Sequence, residues 1–282
     1  MSAAPIDTPH RVSGERSSWP IFVISLPAAR ARRASCRAAM DRLGLEFEFF
    51  DAIGGSCLSQ QEIARAYDPD KNARLFKRPL SAAEIGCYLS HHALWDRVGG
   101  SRAAGAIVLE DDFDADGALP ALLDEICRLD LSNCLVKLHS QRKATGAPLA
   151  ILTGGYRLLA PANVPGMTLG YIVERRAAVA LAEKSLPFGR PVDIDLKHWW
   201  EFGVSVLIVQ PSALHIRTAD GASAIESSRK GAKPAGRMGG WVRLVRNLRY
   251  QWLYVRQRLR ARSKIRPIVS RFANPTAPNE TR

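Results

Sequence analysis

The chain has 282 residues, of which 46% are hydrophobic and 24% charged, the ordinary balance of a folded protein with one substantial core. Its net charge is +13, but residues 229–282 hold fifteen Lys and Arg against one acidic residue, Glu280. The first 228 residues are therefore close to neutral, which argues against a nucleic-acid-binding body.

Targeting signals and cysteine clusters are not evident in the sequence. No run approaches the roughly 20 apolar residues of a membrane span, and the first 19 residues are polar, so a cytoplasmic location is expected. The five cysteines show no C-x-x-C spacing, which argues against a disulfide framework or a zinc cluster. We predict a disordered segment at 1–19, a folded domain at 20–228 and an Arg-rich tail at 229–282.

The N-terminal part of the folded domain has an α/β pattern. Residues 21–26 form a short apolar run typical of a buried strand. An Ala- and Arg-rich helix is predicted from about 28 to 43 and ends at Gly44, and residues 45–50 predict a second strand. Strand, helix, strand is the opening of an α/β nucleotide-binding fold.

Two capping boxes mark the next helices. Ser59 with Glu62, and Ser81 with Glu84, have the spacing that starts a helix. The second helix is predicted to run to about Val98, with one face formed by Ile85, Tyr88, Leu89, His92 and Trp95. Residues 106–109 are a continuous apolar run that predicts a buried strand.

The remaining pattern continues the alternation of helices and strands. A Gly- and Pro-containing region at 153–166 is read as irregular. The other predicted elements are a helix at 119–129, strands at 134–138 and 170–173, a helix at 175–185, and a last clear strand at 204–209.

Three consecutive carboxylates, Glu110, Asp111 and Asp112, follow the strand at 106–109. Such a run is repulsive unless a cation joins it, and carboxylate oxygens suit Mg²⁺ or Mn²⁺. In extended chain Glu110 and Asp112 would share one side and Asp111 would take the other. A solvated turn or a helix cap is the alternative interpretation.

Several blocks, in order, resemble glycosyltransferase family 25, the lipopolysaccharide and lipooligosaccharide transferases also related to collagen galactosyltransferases. The most recognisable is LSAAEIGCYLSHHALW at 80–95. Ser25 stands where many members carry Asn. The other blocks are ISL with two following arginines at 24–33, FEFFDAIGG at 47–55, IVLEDD at 107–112, GYIV at 170–173, PVDIDLKHWW at 191–200 and SAIESSR at 223–229.

The resemblance implies a GT-A-like fold, with a central, mainly parallel sheet flanked by helices. It implies a nucleotide-sugar donor such as UDP-galactose or UDP-glucose, a glycan acceptor such as lipopolysaccharide, and a divalent cation. The family is inverting, so one carboxylate should deprotonate the acceptor hydroxyl during in-line attack. A catalytically silent glycosyltransferase-like binding protein is the alternative function.

The resemblance and the chemistry of the side chains together predict roles for individual residues. Asp193 and Asp195 are the predicted base or acceptor clamp and would share one side of an extended segment; capping of the following helix is the alternative. The predicted metal ligands are Glu110, Asp112 and His215. The predicted donor-binding residues are Ser25, Leu26, Arg32, Arg33, Glu84, His91, Asp111 and Trp199.

Several of these residues have structural alternatives. Glu84 would complete its capping box, and His91 would be a hydrogen-bonded buried histidine. Trp199 would be a core residue instead of a platform for a sugar ring. His215 would be an ordinary surface histidine, and Arg32 and Arg33 would solvate the first helix.

The tail combines apolar and basic residues at helical spacing. Trp241, Leu244, Val245, Leu248, Trp252, Val255 and Leu259 recur on one side, with arginines mainly elsewhere. This pattern predicts either an in-plane anchor on the anionic inner face of the cytoplasmic membrane, or a helix packed on its own domain with its arginines in solvent.

Overall fold

The computed structural model describes residues 19–217, 240–261 and 266–273, and the side chains of 240–246, 266, 267 and 273 lie outside this description. The predicted segment at 1–19, except Trp19, lies outside the described residues. So do the SAIESSR block and the predicted junction at 228–229.

Mixed α/β structure is confirmed. The strands are β1 Ile21–Ser25, β2 Glu48–Asp51, β3 Gly105–Glu110, β4 Phe113–Ala115, β5 Cys134–Lys137, β6 Gly146–Ile151, β7 Arg157–Pro161, β8 Gly170–Glu174, β9 Ser205–Gln210 and β10 Leu214–Ile216. The helices are α1 Arg30–Leu43, α2 Gln60–Ala66, α3 Pro69–Leu75, α4 Ala82–Gly99, α5 Leu119–Cys127, α6 Arg175–Ser185, α7 Val192–Asp195, α8 Trp199–Phe202, α9 Gly240–Ala261 and α10 Arg266–Ala273.

A central eight-stranded sheet has the order β2-β1-β3-β8-β5-β9-β7-β6, and β10 pairs with β4 in a small antiparallel sheet. β1 is parallel to both β2 and β3, and β5 is parallel to β9. β8 and β7 are antiparallel to their neighbours. Six of the eight strands therefore run in one direction, as expected for a mainly parallel sheet.

The sheet is buried on both faces. Alternate residues of β3 enter two separate core clusters, Ile107 and Leu109 in one and Ala106 and Val108 in the other. The first cluster includes residues of α1, α5 and α10, and the second includes residues of α4, α6 and α8. A strand buried on both sides reads as a continuous apolar run, which is why β3 was recognisable from sequence.

Local signals set the ends of the helices beside the acidic run. Gly44 ends α1 with φ of 63°, a left-handed conformation that glycine adopts without strain. Both predicted capping boxes are present, at Ser59 and at Ser81. The buried face of α4 includes His91 and Leu94, whereas Leu89 and His92 are only partly buried, so the predicted face was slightly rotated.

Strands β4, β6, β7 and β10 were not predicted. β6 and β7 form an antiparallel hairpin that includes part of the region read as irregular, and β7 pairs with β9. β10 follows β9, the strand predicted to be last. It pairs with β4, which begins directly after the acidic run. β10 thereby brings the late part of the chain beside that run.

Helix α9 packs through its tyrosines. Tyr254 is buried and lies 5.2 Å from the ring of His198, and Tyr250 lies 6.1 Å from the same ring. Leu248, Trp252, Val255 and Leu259 are exposed. The helix therefore packs on the domain through a different face from its predicted apolar one. None of the helices in the described ranges is long and apolar enough to cross a membrane.

Candidate active site

An open cleft of about 650 Å³ lies at the carboxyl ends of β1 and β3, where the acidic run begins. Because these strands are parallel and adjacent, the residues that follow them meet at one edge of the sheet, the usual place for a ligand in such folds. The lining residues are Ile24, Ser25, Leu26, Arg32, Ala52, Ile53, Gly54, Gly55, Ala83, Cys87, Ser90, Glu110, Asp111 and Asp112.

Asp111 joins the acidic run to β1 and α1. The Ser25 hydroxyl donates to Oδ2 of Asp111 at 2.6 Å, and Arg32 Nη1 lies 3.0 Å from Oδ1. Burial raises the pKa of Asp111, although the Ser25 hydrogen bond and the Arg32 charge oppose that rise. Arg33 donates to the Ser25 carbonyl at 2.7 Å and pairs with Asp51. Both arginines therefore lie at the edge of the cleft. Arg32 is paired with the lining residue Asp111, and Arg33 is hydrogen-bonded to the lining residue Ser25.

Glu110 points away from β1 and α1, which hold Asp111, and towards α4 and the start of β8. Thr168 donates its hydroxyl hydrogen to Oε1 of Glu110, and His91 Nε2 lies 3.4 Å from that oxygen without hydrogen-bond alignment. Burial opposes ionisation, but His91 and Thr168 together hold the pKa of Glu110 below its ordinary value. Glu110 is therefore a partly exposed carboxylate whose ionised form is favoured by these neighbours.

A buried hydrogen-bond chain fixes the His91 ring behind Glu110. Trp95 Nε1 donates to the Tyr171 hydroxyl at 2.9 Å, and this hydroxyl lies 2.9 Å from His91 Nδ1. Because the indole N–H can only donate, the Tyr171 oxygen accepts from it and its own hydrogen is available to His91 Nδ1. His91 is completely buried and does not appear in the cleft lining.

Asp112 lies in the turn between β3 and β4. Its Oδ1 is buried and has no hydrogen-bond partner among the described residues. Burial, followed by repulsion from Glu110 and Asp111, raises the pKa of Asp112 to about 7. Repulsion within the acidic run is thus the second cause of this rise, after burial. The strand ends at Glu110, so the alternation assumed for an extended chain does not reach Asp112.

The donor atoms here favour a hard divalent ion. The cleft lining includes three carboxylates, and the unpartnered Oδ1 of Asp112 is an oxygen that a cation would satisfy. Within the described residues, Cys87, His91 and Glu110 bring their ligand atoms within 4.8 Å of one another. Glu110, Asp112 and His215 do not form such a group. His215 is exposed on β10, opposite Asp114.

Asp193 and Asp195 do not share one side. The segment is the helix α7 instead of extended chain, so residues two apart point in nearly opposite directions. Asp193 is half-buried, and its Oδ2 accepts from Met167 N at 3.1 Å. Asp193 does not line this cleft.

Asp195 occupies a structural position, which corrects its prediction as a base. Its side chain is buried, Tyr88 donates to Oδ2 at 2.6 Å, and Arg190 Nε donates to Oδ1 at 2.6 Å. Arg190 also pairs with Glu201. Both Asp195 oxygens are engaged away from solvent, so Asp195 anchors α7 to α4.

Glu84 and Trp199 also lie outside the cleft lining, in contrast to their predicted donor-binding roles. Glu84 is buried, completes the capping box of α4, and accepts two hydrogen bonds from Arg78 at 2.7 and 2.8 Å. Trp199 is 8% exposed and packs in the core cluster of α4, α6 and α8. In both cases the structural alternative describes the observed position.

Lys137, His139 and Thr168 were missed by the sequence analysis. Lys137 is buried at the end of β5, and burial lowers its pKa to about 8. His139 donates from Nδ1 to the Leu214 carbonyl at 2.7 Å, and its buried Nε2 has no partner among the described residues. A lysine and a histidine at the carboxyl end of an apolar run were the available signal.

Part of the chain, including the elements that build the cleft, is similar to known proteins. Residues 19–145 match the model of glycosyltransferase family 25, described as an LPS biosynthesis protein family. The chain is 27% identical over 183 residues to procollagen galactosyltransferase 1-A of Xenopus laevis, covering 62% of this chain and 30% of that protein. It is 29% identical over 185 residues to a glycosyltransferase 25 family member of Aedes aegypti, covering 62% and 29%.

A rat relative, named probable inactive glycosyltransferase 25 family member 3, is 24% identical over 281 residues, covering 90% of this chain and 49% of the relative. The chain spans about a third to a half of the length of these relatives. The family match begins at Trp19 and contains β1, α4 and the acidic run, which are the elements that build the cleft. Over residues 19–145 this chain is therefore similar to glycosyltransferase family 25.

Proposed function

We propose that this protein transfers a hexose from a nucleotide-sugar to a glycan acceptor by metal-assisted inverting displacement on a GT-A-like fold. The observation that carries the proposal is the convergence of Glu110, Asp111 and Asp112 on one cleft, with an unpartnered oxygen on Asp112. Maintaining three mutually repulsive carboxylates costs stability, and a cation-dependent reaction provides a reason for them.

The donor would occupy the cleft at the ends of β1 and β3. Arg32 and Arg33 supply positive charge at its edge, suited to a diphosphate. Ser25 and Leu26 end the strand, and the loop 52–55 forms the other wall. Asp111, held by Ser25 and Arg32, is placed to accept hydrogen bonds from ribose or sugar hydroxyls.

Mg²⁺ or Mn²⁺ would be held at the acidic run, with Asp112 as its first ligand. Glu110 and His215 are further proposed ligands, although Thr168 already bonds one Glu110 oxygen. When bound, the cation would offset the negative charge of the departing nucleoside diphosphate. The raised pKa of Asp112 indicates that its carboxylate is electrostatically unsatisfied by protein groups alone.

Asp193 is the proposed general base. The acceptor hydroxyl oxygen would attack the anomeric carbon as the bond to the diphosphate oxygen breaks, and the hydroxyl proton would pass to the Asp193 carboxylate. No covalent sugar–enzyme intermediate is needed in this inverting reaction. Positioning and charge stabilisation would supply most of the rate enhancement.

Galactose or glucose, carried on UDP, is the proposed donor sugar. Procollagen galactosyltransferases of Xenopus laevis are among the similar proteins, and this supports a hexose. Lipopolysaccharide or another cell-surface glycan is the proposed acceptor, supported by the description of the matching family.

A Mn²⁺-dependent UDP-sugar binding and hydrolysis assay tests the proposal. UDP-galactose and UDP-glucose would be compared on the wild type, Asp112→Ala, and Asp41→Ala, whose exposed carboxylate on α1 provides the control. We expect Asp112→Ala to lose at least 100-fold of the turnover while Asp41→Ala retains it. Absence of nucleotide-sugar binding by the wild type, or unchanged turnover in Asp112→Ala, would refute the mechanism.

A catalytically silent binding protein is the second candidate, supported by the name of the rat relative. Such a protein would bind the nucleotide-sugar and leave it intact. The same assay separates the two functions, because binding without hydrolysis or transfer to any glycan acceptor favours the silent protein.

Peripheral contact with the anionic inner face of the cytoplasmic membrane is the proposed role of α9. Leu248, Trp252, Val255 and Leu259 recur at helical spacing and are 43–59% exposed, so an apolar strip faces outward. Arg256 lies over the Trp252 ring at 5.1 Å and adds positive charge beside that strip. An apolar strip flanked by arginines fits a bilayer that carries anionic lipid.

Liposome co-sedimentation of the full chain tests this contact. Phosphatidylcholine vesicles with and without phosphatidylglycerol would be compared for the wild type, for Leu248→Ser/Trp252→Ser, and for Ile151→Ser. Ile151 is 83% exposed on β6 and supplies the control for loss of an exposed apolar side chain. The proposed membrane contact would be excluded if binding were the same with and without phosphatidylglycerol. It would also be excluded if Leu248→Ser/Trp252→Ser bound as well as the wild type.

A further inference from the structure

A second open cleft lies beside the donor cleft. It measures about 710 Å³ and lies between the segment 140–145, which joins β5 to β6, and the segment 163–166, which precedes β8. None of its lining residues lines the donor cleft.

The segment 165–168 forms the wall between the two clefts. On one side Pro165 and Gly166 line the second cleft, and on the other Thr168 donates to Glu110 of the donor cleft. Lys137 Nζ donates to the carbonyls of Pro165 at 2.7 Å and Gly166 at 3.1 Å, and also to that of Met167. The buried ammonium group of Lys137 therefore holds three consecutive carbonyls of this wall in place.

The proposed base stands against this same wall. Met167 N donates to Asp193 Oδ2 at 3.1 Å, and Met167 has φ of 63°, in the left-handed region that is unfavourable for a side chain. The surrounding hydrogen bonds hold this strained residue in place. Gly166, which lines the second cleft, also lies close to this carboxylate, because a Cβ at Gly166 would be 3.2 Å from Asp193 Oδ2.

The second cleft is basic. Arg142 and Lys143 are exposed at its rim, and neither has an ion-pair partner in the part of the chain that the structure describes. The donor cleft, by contrast, pairs Arg32 with its own Asp111. Unpaired arginine and lysine side chains at a polar cleft favour an anionic ligand.

We propose that the second cleft binds the acceptor, and that the acceptor is an anionic sugar carrying phosphate or carboxylate near the Arg142 and Lys143 side chains. The proposal rests on the transferase function proposed above and adds the chemical class of the acceptor. The body of the acceptor would then lie on the Gly166 side of the wall 165–168, and its reacting hydroxyl would extend past Asp193 to the donor sugar.

The position of α9 supports this assignment. The Tyr254 hydroxyl donates to Oδ1 of Asn163, a lining residue of the second cleft, at 2.5 Å. The helix proposed to contact anionic membrane is therefore hydrogen-bonded to the rim of this cleft.

Binding of matched small sugars tests the proposal without requiring the natural acceptor. Saturation-transfer NMR on the full chain would give the Kd of glucose 6-phosphate, glucuronic acid and glucose, each with excess UDP to occupy the donor cleft. The variants are Arg142→Gln/Lys143→Gln and, as the control, Arg65→Gln/Arg74→Gln, which removes two exposed arginines from α2 and α3.

We expect at least one anionic sugar to bind five-fold or more tightly than glucose to the wild type and the control, and this preference to disappear in Arg142→Gln/Lys143→Gln. Comparison of the two anionic sugars distinguishes a phosphate from a carboxylate. Equal binding of glucose, or the same loss of preference in the control, would overturn the proposal. UDP binding, measured in parallel, shows separately whether the donor function fails.

Discussion

Ser25 and Asp111, 86 residues apart in the chain, are joined by a buried hydrogen bond of 2.6 Å from the serine hydroxyl to the carboxylate. This bond connects the ends of β1 and β3 and fixes one of the three carboxylates. Arg32 approaches the other oxygen of Asp111 from α1. The orientation of Asp111 therefore depends on Ser25 and Arg32, two residues that the sequence predicts to bind the donor.

Ser25→Ala is expected to raise the pKa of Asp111 further. Burial already raises this pKa, and the Ser25 hydrogen bond is the first influence that opposes the rise. The shift would be measured by ¹³C NMR titration of the Asp111 carboxyl in EDTA-treated protein. Ser132→Ala, which removes an exposed hydroxyl bonded to Asp130, is the control and should leave the Asp111 titration unchanged. An unchanged Asp111 titration in Ser25→Ala would contradict this expectation.

Asp112→Asn is expected to stabilise the metal-free protein while it abolishes cation-dependent turnover. The folded-state pKa of about 7 lies above the ordinary value of 3.8, so the folded state binds more protons between these values and wild-type stability falls as pH rises through them. Asn removes this penalty, and the gain should be about 1–3 kcal/mol at pH 8 and small at pH 4.

Urea denaturation in EDTA at pH 4, 6 and 8 gives the free energy of unfolding that checks this pH dependence. Asp41→Asn is the control, because its carboxylate is exposed on α1. A gain that is equal at pH 4 and pH 8 would show that the repulsion within the acidic run is not its source.

Much of the N-terminal half of the fold was predictable because its signals are local. Gly44 is a helix stop that needs no knowledge of partners, and the capping boxes at Ser59 and Ser81 span four residues each. The apolar run of β3 is buried on both faces and therefore continuous. The acidic run could be placed at the end of that strand for the same reason.

The unpredicted parts depend on distant partners. β7 pairs with β9, which lies about fifty residues further along the chain, so nothing local distinguishes it from the surrounding Gly and Pro positions. Asp195 is buried because Tyr88, 107 residues away, and Arg190 meet its two oxygens. A carboxylate that is fully paired in the fold and one that is free look identical in a sequence.

Tyr171→Phe is expected to lower both stability and turnover. The Tyr171 hydroxyl serves Trp95 Nε1 and His91 Nδ1, so its removal leaves two buried polar atoms without their partner, at about 1–3 kcal/mol each. The released His91 ring would no longer be fixed beside Glu110. Denaturation midpoints and kcat for UDP-sugar hydrolysis measure the two effects.

Tyr156→Phe is the matched control, because its hydroxyl bonds Asp116 at 3.2 Å, outside the donor-cleft lining. We expect it to leave kcat unchanged, with at most a small loss of stability. If Tyr171→Phe lowers stability but not kcat, then the Trp95–Tyr171–His91 chain is structural and does not position Glu110.

His198 is expected to destabilise the protein in mild acid. Burial, followed by the charge of Arg190, lowers its pKa from 6.5 to about 3, because the ring lies between α7 and the tyrosines of α9. Above pH 6.5 the ring is neutral in both states and has no effect. As pH falls from 6.5 towards 3 the unfolded chain takes up a proton that the folded chain excludes, at up to about 1.4 kcal/mol per pH unit.

His198→Asn tests this because the Asn amide can replace Nδ1 as the donor to the Ile194 carbonyl, which lies 2.9 Å away, without titrating. The free energy of unfolding would be measured from pH 7.5 to 4.5 for the wild type, His198→Asn and His215→Asn, which removes an exposed histidine. Carboxylates contribute equally to all three curves. The curve of His198→Asn should therefore fall less steeply below pH 6.5 than the other two, and three parallel curves would show that His198 does not carry this acid sensitivity.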